Sequence, residues 1–184
     1  MPVPDFNSSG VLPPHLGMPT NAAELSPYPA TSLEICQKLG FSADRREILR
    51  GWIQLRKLLR TLGHNRGFQW IDGSFTEDAE THRSRSPSDI DVVSFLPQSP
   101  AMLDPAIAQI IADPRQTKQL FKVDHLIVRL NWIGETIVEH TRYWCGLFSH
   151  RRDDGVWKGM LKVDLDTIAD DAAAKRHLDS LGNP

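Results

Sequence analysis

Asp89 and Asp91, in the run Ser88-Asp89-Ile90-Asp91-Val92-Val93, are the residues whose type and spacing speak most directly of chemistry. Two carboxylates two positions apart at the start of a strand point to one face, while Ile90 and Val92 point to the other. Hard oxygen ligands placed side by side suit Mg2+ or Mn2+, with triphosphate oxygens and water completing an octahedron, as in phosphoryl or nucleotidyl transfer. Upstream, Gly73-Ser74 follows a short strand-like run and offers backbone N–H groups and a hydroxyl to a phosphate, the glycine allowing close approach. A third carboxylate, Asp124, interrupts an apolar stretch in which an unpaired charge is costly. Lys122, on the same face by alternation, is its nearest ion-pair partner, and metal coordination is the other relief. Taken singly, each feature has a plain structural explanation in turn chemistry, an exposed strand residue or a salt bridge. Their order, strand-Gly-Ser, then Asp-x-Asp, then Asp in a later strand, favours a functional set.

These residues need elements to hold them. Residues 1–30 contain seven prolines and predict an extended arm packed on a single domain over 31–184, with Leu12, Leu16 and Met18 as its apolar anchors. Thr31-x-x-Glu34 is a capping box that starts a short helix ended by Gly40. Ser42 precedes an amphipathic helix on which Ile48, Trp52, Leu55, Leu58, Leu59 and Leu62 recur, closed by Gly63. Phe68 to Ile71, Asp89 to Leu96, Phe121 to Leu130 and Gly159 to Leu165 predict strands, the second and third forming the middle of the sheet. Helices are expected over Pro105 to Ala112, Glu135 to Phe148 and Asp166 to Leu181. The fold class is α+β, a mixed sheet flanked by helices.

Trp70-Ile71-Asp72-Gly73-Ser74 followed by Ser88-Asp89-Ile90-Asp91-Val92-Val93 resembles the signature of the polymerase-beta-like nucleotidyltransferase superfamily. Over nearly the whole chain, including Phe6 to Pro14 and Trp144 to Gly159, the sequence is similar to a family of small, uncharacterised bacterial nucleotidyltransferase-like proteins. The resemblance implies that Gly73 and Ser74 contact the triphosphate, that Asp89 and Asp91 bind catalytic metal, and that Asp124 joins the metal site and helps to deprotonate an acceptor hydroxyl. It also implies a nucleotidyltransferase core using ATP or another nucleoside triphosphate. The stretch between Ser74 and Asp89 is longer than the superfamily pattern, with an added polar piece around Glu80 to Arg85.

Among the basic residues Arg151, Arg152, Lys158 and Lys162, Lys158 is the best candidate for the nucleotide, because Gly159 beside it permits close backbone approach. Glu139-His140 lacks a second histidine, and His125 faces away from Asp124, so neither supports zinc. The five tryptophans read as core.

With 184 residues, 40% hydrophobic and 24% charged, and a net charge of -2, the chain has the composition of one ordinary globular domain. It lacks the basic excess of a bulk nucleic-acid binder, which argues against polymerase-like action. Cys36 and Cys145 lack disulfide or metal spacing and read as core or near-core thiols, and with no apolar span or export segment the expected setting is cytoplasmic. The leading function is transfer of a nucleoside monophosphate to a hydroxyl of a protein, RNA (tRNA included) or small-molecule acceptor, with a partner protein as a further possibility. The alternative is a non-catalytic or regulatory, antitoxin-like binding module, by analogy with small nucleotidyltransferases that accompany a toxin.

Overall fold

A computed structural model describes residues 3–97 and 104–182. The chain opens with the arm, which carries a two-residue strand, β1 (Tyr28–Pro29), and leads into α1 (Ser32–Leu39) and α2 (Ala43–Thr61). The capping box forms as expected: Glu34 N–H donates to Thr31 Oγ1 at 3.1 Å and Thr31 N–H to Glu34 Oε2 at 2.8 Å. There follow β2 (Phe68–Asp72), a 3-10 turn over Ser74–Thr76, α3 (Ala79–Arg83), β3 (Ile90–Leu96), α4 (Pro105–Ala112) and α5 (Pro114–Phe121). The chain ends with β4 (Val123–Arg129), α6 (Gly134–Phe148), β5 (Leu161–Asp164) and α7 (Ile168–Ser180).

The architecture is α+β: one open, mixed sheet in the order β1-β5-β2-β3-β4, flanked by helices. β2 lies antiparallel between β5 and β3, whereas β3 and β4 run parallel. The middle of the sheet is therefore β2, and β4 is an edge strand, contrary to expectation. Alternation assigns the two faces. Gln69, Ile71, Val92, Ser94, Val123 and His125 look towards the main core, where Trp52, Leu55 and Leu59 of α2 pack with α1 and α7. Trp70, Val93, Phe95 and Val128 look the other way, onto Trp144 and Phe148 of α6. Asp72, Asp91 and Asp124 share that second face.

A buried polar chain ties the helices to the sheet. Arg56, fully buried, donates to Asp171 at 2.9 Å and to Gln69 Oε1 at 3.0 Å; Gln69 Nε2 donates to Ser94 Oγ at 3.0 Å, which meets His125 Nε2 at 2.8 Å. Burial lowers His125 to about 4, so it sits there neutral. Every charged member has a partner, which is the condition under which buried polar groups are tolerable.

α5 was not legible beforehand, and its presence changes the neighbourhood of Asp124. Asp113 caps it and Pro114 occupies its first turn, where a missing N–H costs nothing. It continues through Phe121, and Lys122 follows in the left-handed region at φ 55°. Lys122 thus never enters the strand; it pairs with Glu47 at 2.9 Å instead of Asp124. The expected Lys122–Asp124 face-sharing is corrected on that ground.

The arm is integral to the domain. Val3, Val11, Leu12 and Tyr28 are buried, whereas the expected anchors Leu16 and Met18 are exposed. Each fully buried apolar side chain contributes about 1.5–3 kcal/mol, which together with the backbone hydrogen bonds to the domain offsets part of the strap's ordering entropy. Val11 bridges to Glu77, Leu12 N–H donates to Thr76 O and Gly159 N–H donates to Leu12 O at 2.8 Å. A Cβ at Gly159 would collide with Pro13 O, so the close approach this glycine permits is by the arm. Among the tryptophans, Trp52, Trp70 and Trp144 are core as expected; Trp132 and Trp157 are 37% and 43% exposed. Cys36 is buried and Cys145 half-buried.

Candidate active site

The strand register builds the site. Asp72 pairs with Asp91 across the antiparallel β2–β3 ladder, and Asp91 pairs with Asp124 across the parallel β3–β4 ladder. Three carboxylates thus form a row across three neighbouring strands at one end of one sheet face. Residues paired in register point the same way, so the backbone alone forces them together. Asp89, two residues before Asp91, lines the same pocket, a cavity of about 320 Å³ that also contains Gly73, Ser74 and Lys158. All six residues singled out from the sequence therefore meet in one place.

The electrostatics of the row are strained. Asp91 is pushed up to about 6, first by burial and then by Asp89 and Asp124, with Arg152 and Lys158 pulling the other way. Asp72, 2% exposed, is raised to about 7 by burial, against the pull of Lys158, the Gly73 N–H and the Thr76 hydroxyl. Asp72 was missed by sequence reasoning, although its alternation with Ile71 and its position one residue before Gly73 were visible.

Gly73 adopts φ +81°, and a Cβ there would come within 2.5 Å of Asp91 Oδ2. The crowding it relieves is therefore that of the Asp91 carboxylate, and its N–H is already engaged with Asp72. The Ser74 hydroxyl makes no hydrogen bond among the described residues, and Ser74 lines the pocket.

Lys158 is buried, and its ammonium donates to Gly73 O and Glu77 Oε1 at 3.0 Å each and lies 3.1 Å from Asp72 Oδ2. Three donors are matched by three acceptors. The residue is a fastening under the Gly73-Ser74 turn, which differs from the direct nucleotide contact expected of it. The other basic candidates divide: Arg152 lines the pocket, Arg151 pairs with Asp154 and donates to Ser9 O, and Lys162 lies over the Phe68 ring at 4.8 Å.

The polar segment around Glu80 to Arg85 is built into the site. Arg45, fully buried on α2, donates to Glu80 at 2.7 Å and to Phe75 O at 2.8 Å, and so clamps α3 to the 3-10 turn. Arg83 then pairs with Glu77 at 2.9 Å and Asp153 at 3.2 Å, and both Arg83 and Arg85 line the pocket. From α5, Lys118 reaches in and forms an ion pair with Asp89. Lys118 was missed together with α5, although Asp113-Pro114 has the form of a helix start.

A family model described as "Family of unknown function (DUF6932)" matches residues 4–164. The chain belongs to that family. No curated protein and no solved structure matches it. The DUF6932 match spans the arm, all five strands and every pocket residue named above, whereas α7 follows it. Among the described residues, no helix is long and apolar enough to cross a membrane.

The Lys118–Asp89 pair makes a measurable prediction. A tethered ammonium on a carboxylate competes with any other cation for it. Lys118→Met is expected to tighten Mn2+ binding several-fold in titration calorimetry without nucleotide. Unchanged or weaker binding would show that the two cations do not share Asp89.

Proposed function

We propose that the chain is a metal-dependent nucleotidyltransferase with a polymerase-beta-like core, moving a nucleoside monophosphate from a nucleoside triphosphate onto a hydroxyl of a protein, RNA or small-molecule acceptor. The observation that carries this reading is the registered pairing of Asp91 with Asp124 on adjacent strands, opening into the pocket that Asp89, Gly73 and Ser74 also line. The mixed sheet with its acids at one end of one face supports the same core.

The donor set fits Mg2+ or Mn2+. Three carboxylates crowd together, two of them raising the third, and a hard dication relieves that repulsion. Among the described residues no three His, Cys, Asp or Glu side chains are arranged to hold a metal ion by themselves. Asp89, Asp91 and Asp124 would therefore hold it with help from triphosphate oxygens and water. When bound, the ion supplies charge stabilisation at the reacting phosphate.

The chain's own residues do the rest. Ser74, exposed to the pocket by the sharp turn at Gly73, donates its hydroxyl to the phosphate chain, and Lys158 holds that turn from beneath. Asp124 accepts the proton of the acceptor hydroxyl as its oxygen bonds to the α-phosphorus and the bond to the leaving pyrophosphate breaks.

The test is incubation with each labelled nucleoside triphosphate and Mg2+ or Mn2+, followed by mass analysis of the protein, co-purifying partners and added tRNA. A covalently attached nucleoside monophosphate on any of these supports the enzyme. Metal-dependent triphosphate binding with no transfer to any acceptor would favour the antitoxin-like binding module, and absence of both would remove the reading.

Once an acceptor is known, Asp124→Asn is expected to lower kcat by about a hundredfold or more while triphosphate affinity changes a few-fold, because a general base matters mainly as the proton leaves. Single-turnover kinetics beside equilibrium binding separates the two. Parallel losses in both would assign Asp124 to binding alone.

A further inference from the structure

The pocket has an unequal lining. Five cationic and six acidic side chains surround it, against only two apolar residues, Leu147 and Phe148. Phe148 is 3% exposed, and its ring is packed on Trp144 at 5.4 Å. The pocket offers no open Phe, Tyr or Trp face for a base to stack on, the usual sequence-tolerant way of holding one. Its one exposed ring is the small imidazole of His150, hydrogen-bonded to Ser149 at 2.9 Å. The volume, about 320 Å³, is at the small end of ligand pockets, roughly 300–1,000 Å³. That is room for a phosphate chain and its counter-ions.

Most cations of the lining are already committed. Lys158 is saturated beneath the turn, Lys118 pairs with Asp89, and Arg83 with Glu77 and Asp153. Arg85 and Arg152 differ: among the described residues neither side chain makes an ion pair or a hydrogen bond, yet both line the pocket. They come from opposite elements. Arg85 follows α3 through Ser84, which takes a left-handed φ of 52° and turns the chain out of the helix. Arg152 follows α6 and is close enough to Asp91 to lower its pKa. A guanidinium fork matches phosphate oxygens in shape and charge, and two of them across a pocket with acidic metal ligands are placed for a chain of phosphates.

We propose that Arg85 and Arg152 make this pocket a reader of polyphosphate: it holds a triphosphate by its phosphates and is indifferent to the base. The proposal rests on the nucleotidyl-transfer reading and adds to it that the inserted segment between Ser74 and Asp89 serves substrate selection. Specificity would lie in phosphate number, and the base would project from the mouth.

The experiment is Mn2+-dependent binding of tripolyphosphate, ATP, GTP, CTP, UTP and AMP, measured by calorimetry on the full chain and on Arg85→Ala, Arg152→Ala and the double variant. Arg142→Ala, an exposed residue paired with Glu139 on α6 away from the pocket, controls for surface charge. The four nucleoside triphosphates and tripolyphosphate are expected to bind within about tenfold of one another, with AMP far weaker. Each pocket arginine removed is expected to weaken all five by about tenfold, and Arg142→Ala to leave them unchanged. A single base preferred by more than about tenfold, or ATP so preferred over tripolyphosphate, overturns base indifference. Unchanged affinity in the double variant, or an equal loss in the control, overturns the assignment of the two arginines. Transfer without arginine dependence would sink this proposal and leave the enzyme standing. Arginine-dependent tripolyphosphate binding without transfer would do the reverse.

Discussion

Asp91→Asn is expected to move activity and stability in opposite directions. Under the proposed transfer reaction, activity should fall on the order of a thousandfold, since a carboxylate in the metal-holding role proposed for Asp91 contributes several kcal/mol of charge stabilisation that a neutral amide does not supply. Stability at neutral pH should rise, because the native Asp91 carboxylate is buried beside Asp89 and Asp124 and its pKa stands at about 6 against 3.8. The native state therefore holds the Asp91 proton more tightly than the unfolded chain does. The cost of ionising it is absent below about pH 4, grows as pH rises through the window between the two values, and is fully present above about 6. Its size is on the order of 2–3 kcal/mol, less whatever relaxation of the pocket recovers. Urea unfolding at pH 4 and at pH 7.5, in chelator, measures the difference. A variant less stable than the parent at pH 7.5 would mean that Asp91 is held by favourable contacts, and the picture of a crowded, metal-free acid row would be wrong.

Lys158→Met is expected to destabilise the fold by about 3–5 kcal/mol, the range for breaking a buried ion pair from one side. The ammonium is buried among Asp72, Glu77 and the Gly73 carbonyl. Removing it leaves two buried acids and a carbonyl without their donor, and methionine fills the space but donates nothing. The sign of the pH effect follows from Asp72, already raised to about 7. Without Lys158 its carboxyl would rise further, so the variant should recover part of its loss relative to the parent as pH falls towards about 7 from above and Asp72 takes up a proton. Below about 7 the parent's Asp72 protonates as well and the difference stays constant. A second substitution, Asp72→Asn, should restore much of the stability, since neighbours in one network couple strongly. Denaturant midpoints for the four corners of this cycle provide the test, and simple additivity would show that Lys158 and Asp72 do not depend on each other. Arg45 and Glu80 would be a comparable pair, but Glu80 is 23% exposed on its side chain, so water can partly replace its partner.

Much of the fold could be read along the chain because the signals are local. The capping box at Thr31 and Glu34 contains its own hydrogen-bond partners, and the helix from Ala43 to Thr61 carries its apolar stripe at helical spacing. Strands β2 and β3 are short runs rich in aromatic and β-branched residues, and the parity of Asp89 and Asp91 followed from strand geometry alone. Gly73, Ser74, Asp89, Asp91 and Asp124 were recognisable one by one and as an ordered set, and they do meet in one pocket.

What the chain could not disclose by itself is which residues come together across distance. Asp72 joins the row because β2 and β3 pair so that it faces Asp91, a matter of register between segments that no local pattern encodes. Lys122 left Asp124 because a helix that opens on Pro114 runs to Phe121 and ends in a left-handed residue; propensity places Phe121 and Lys122 at the start of the strand instead. Lys118 and Arg85 enter the pocket only through elements whose placement is set by tertiary packing, α5 against the β4 side of the sheet and α3 through the Arg45–Glu80 clamp. The role of Lys158 was decided in the same way, since an ammonium goes to whichever acceptors the fold buries around it. Local spacing determined the type and facing of the acids; the long-range pairing of strands and the burial it imposes decided their neighbours, and with them their charge.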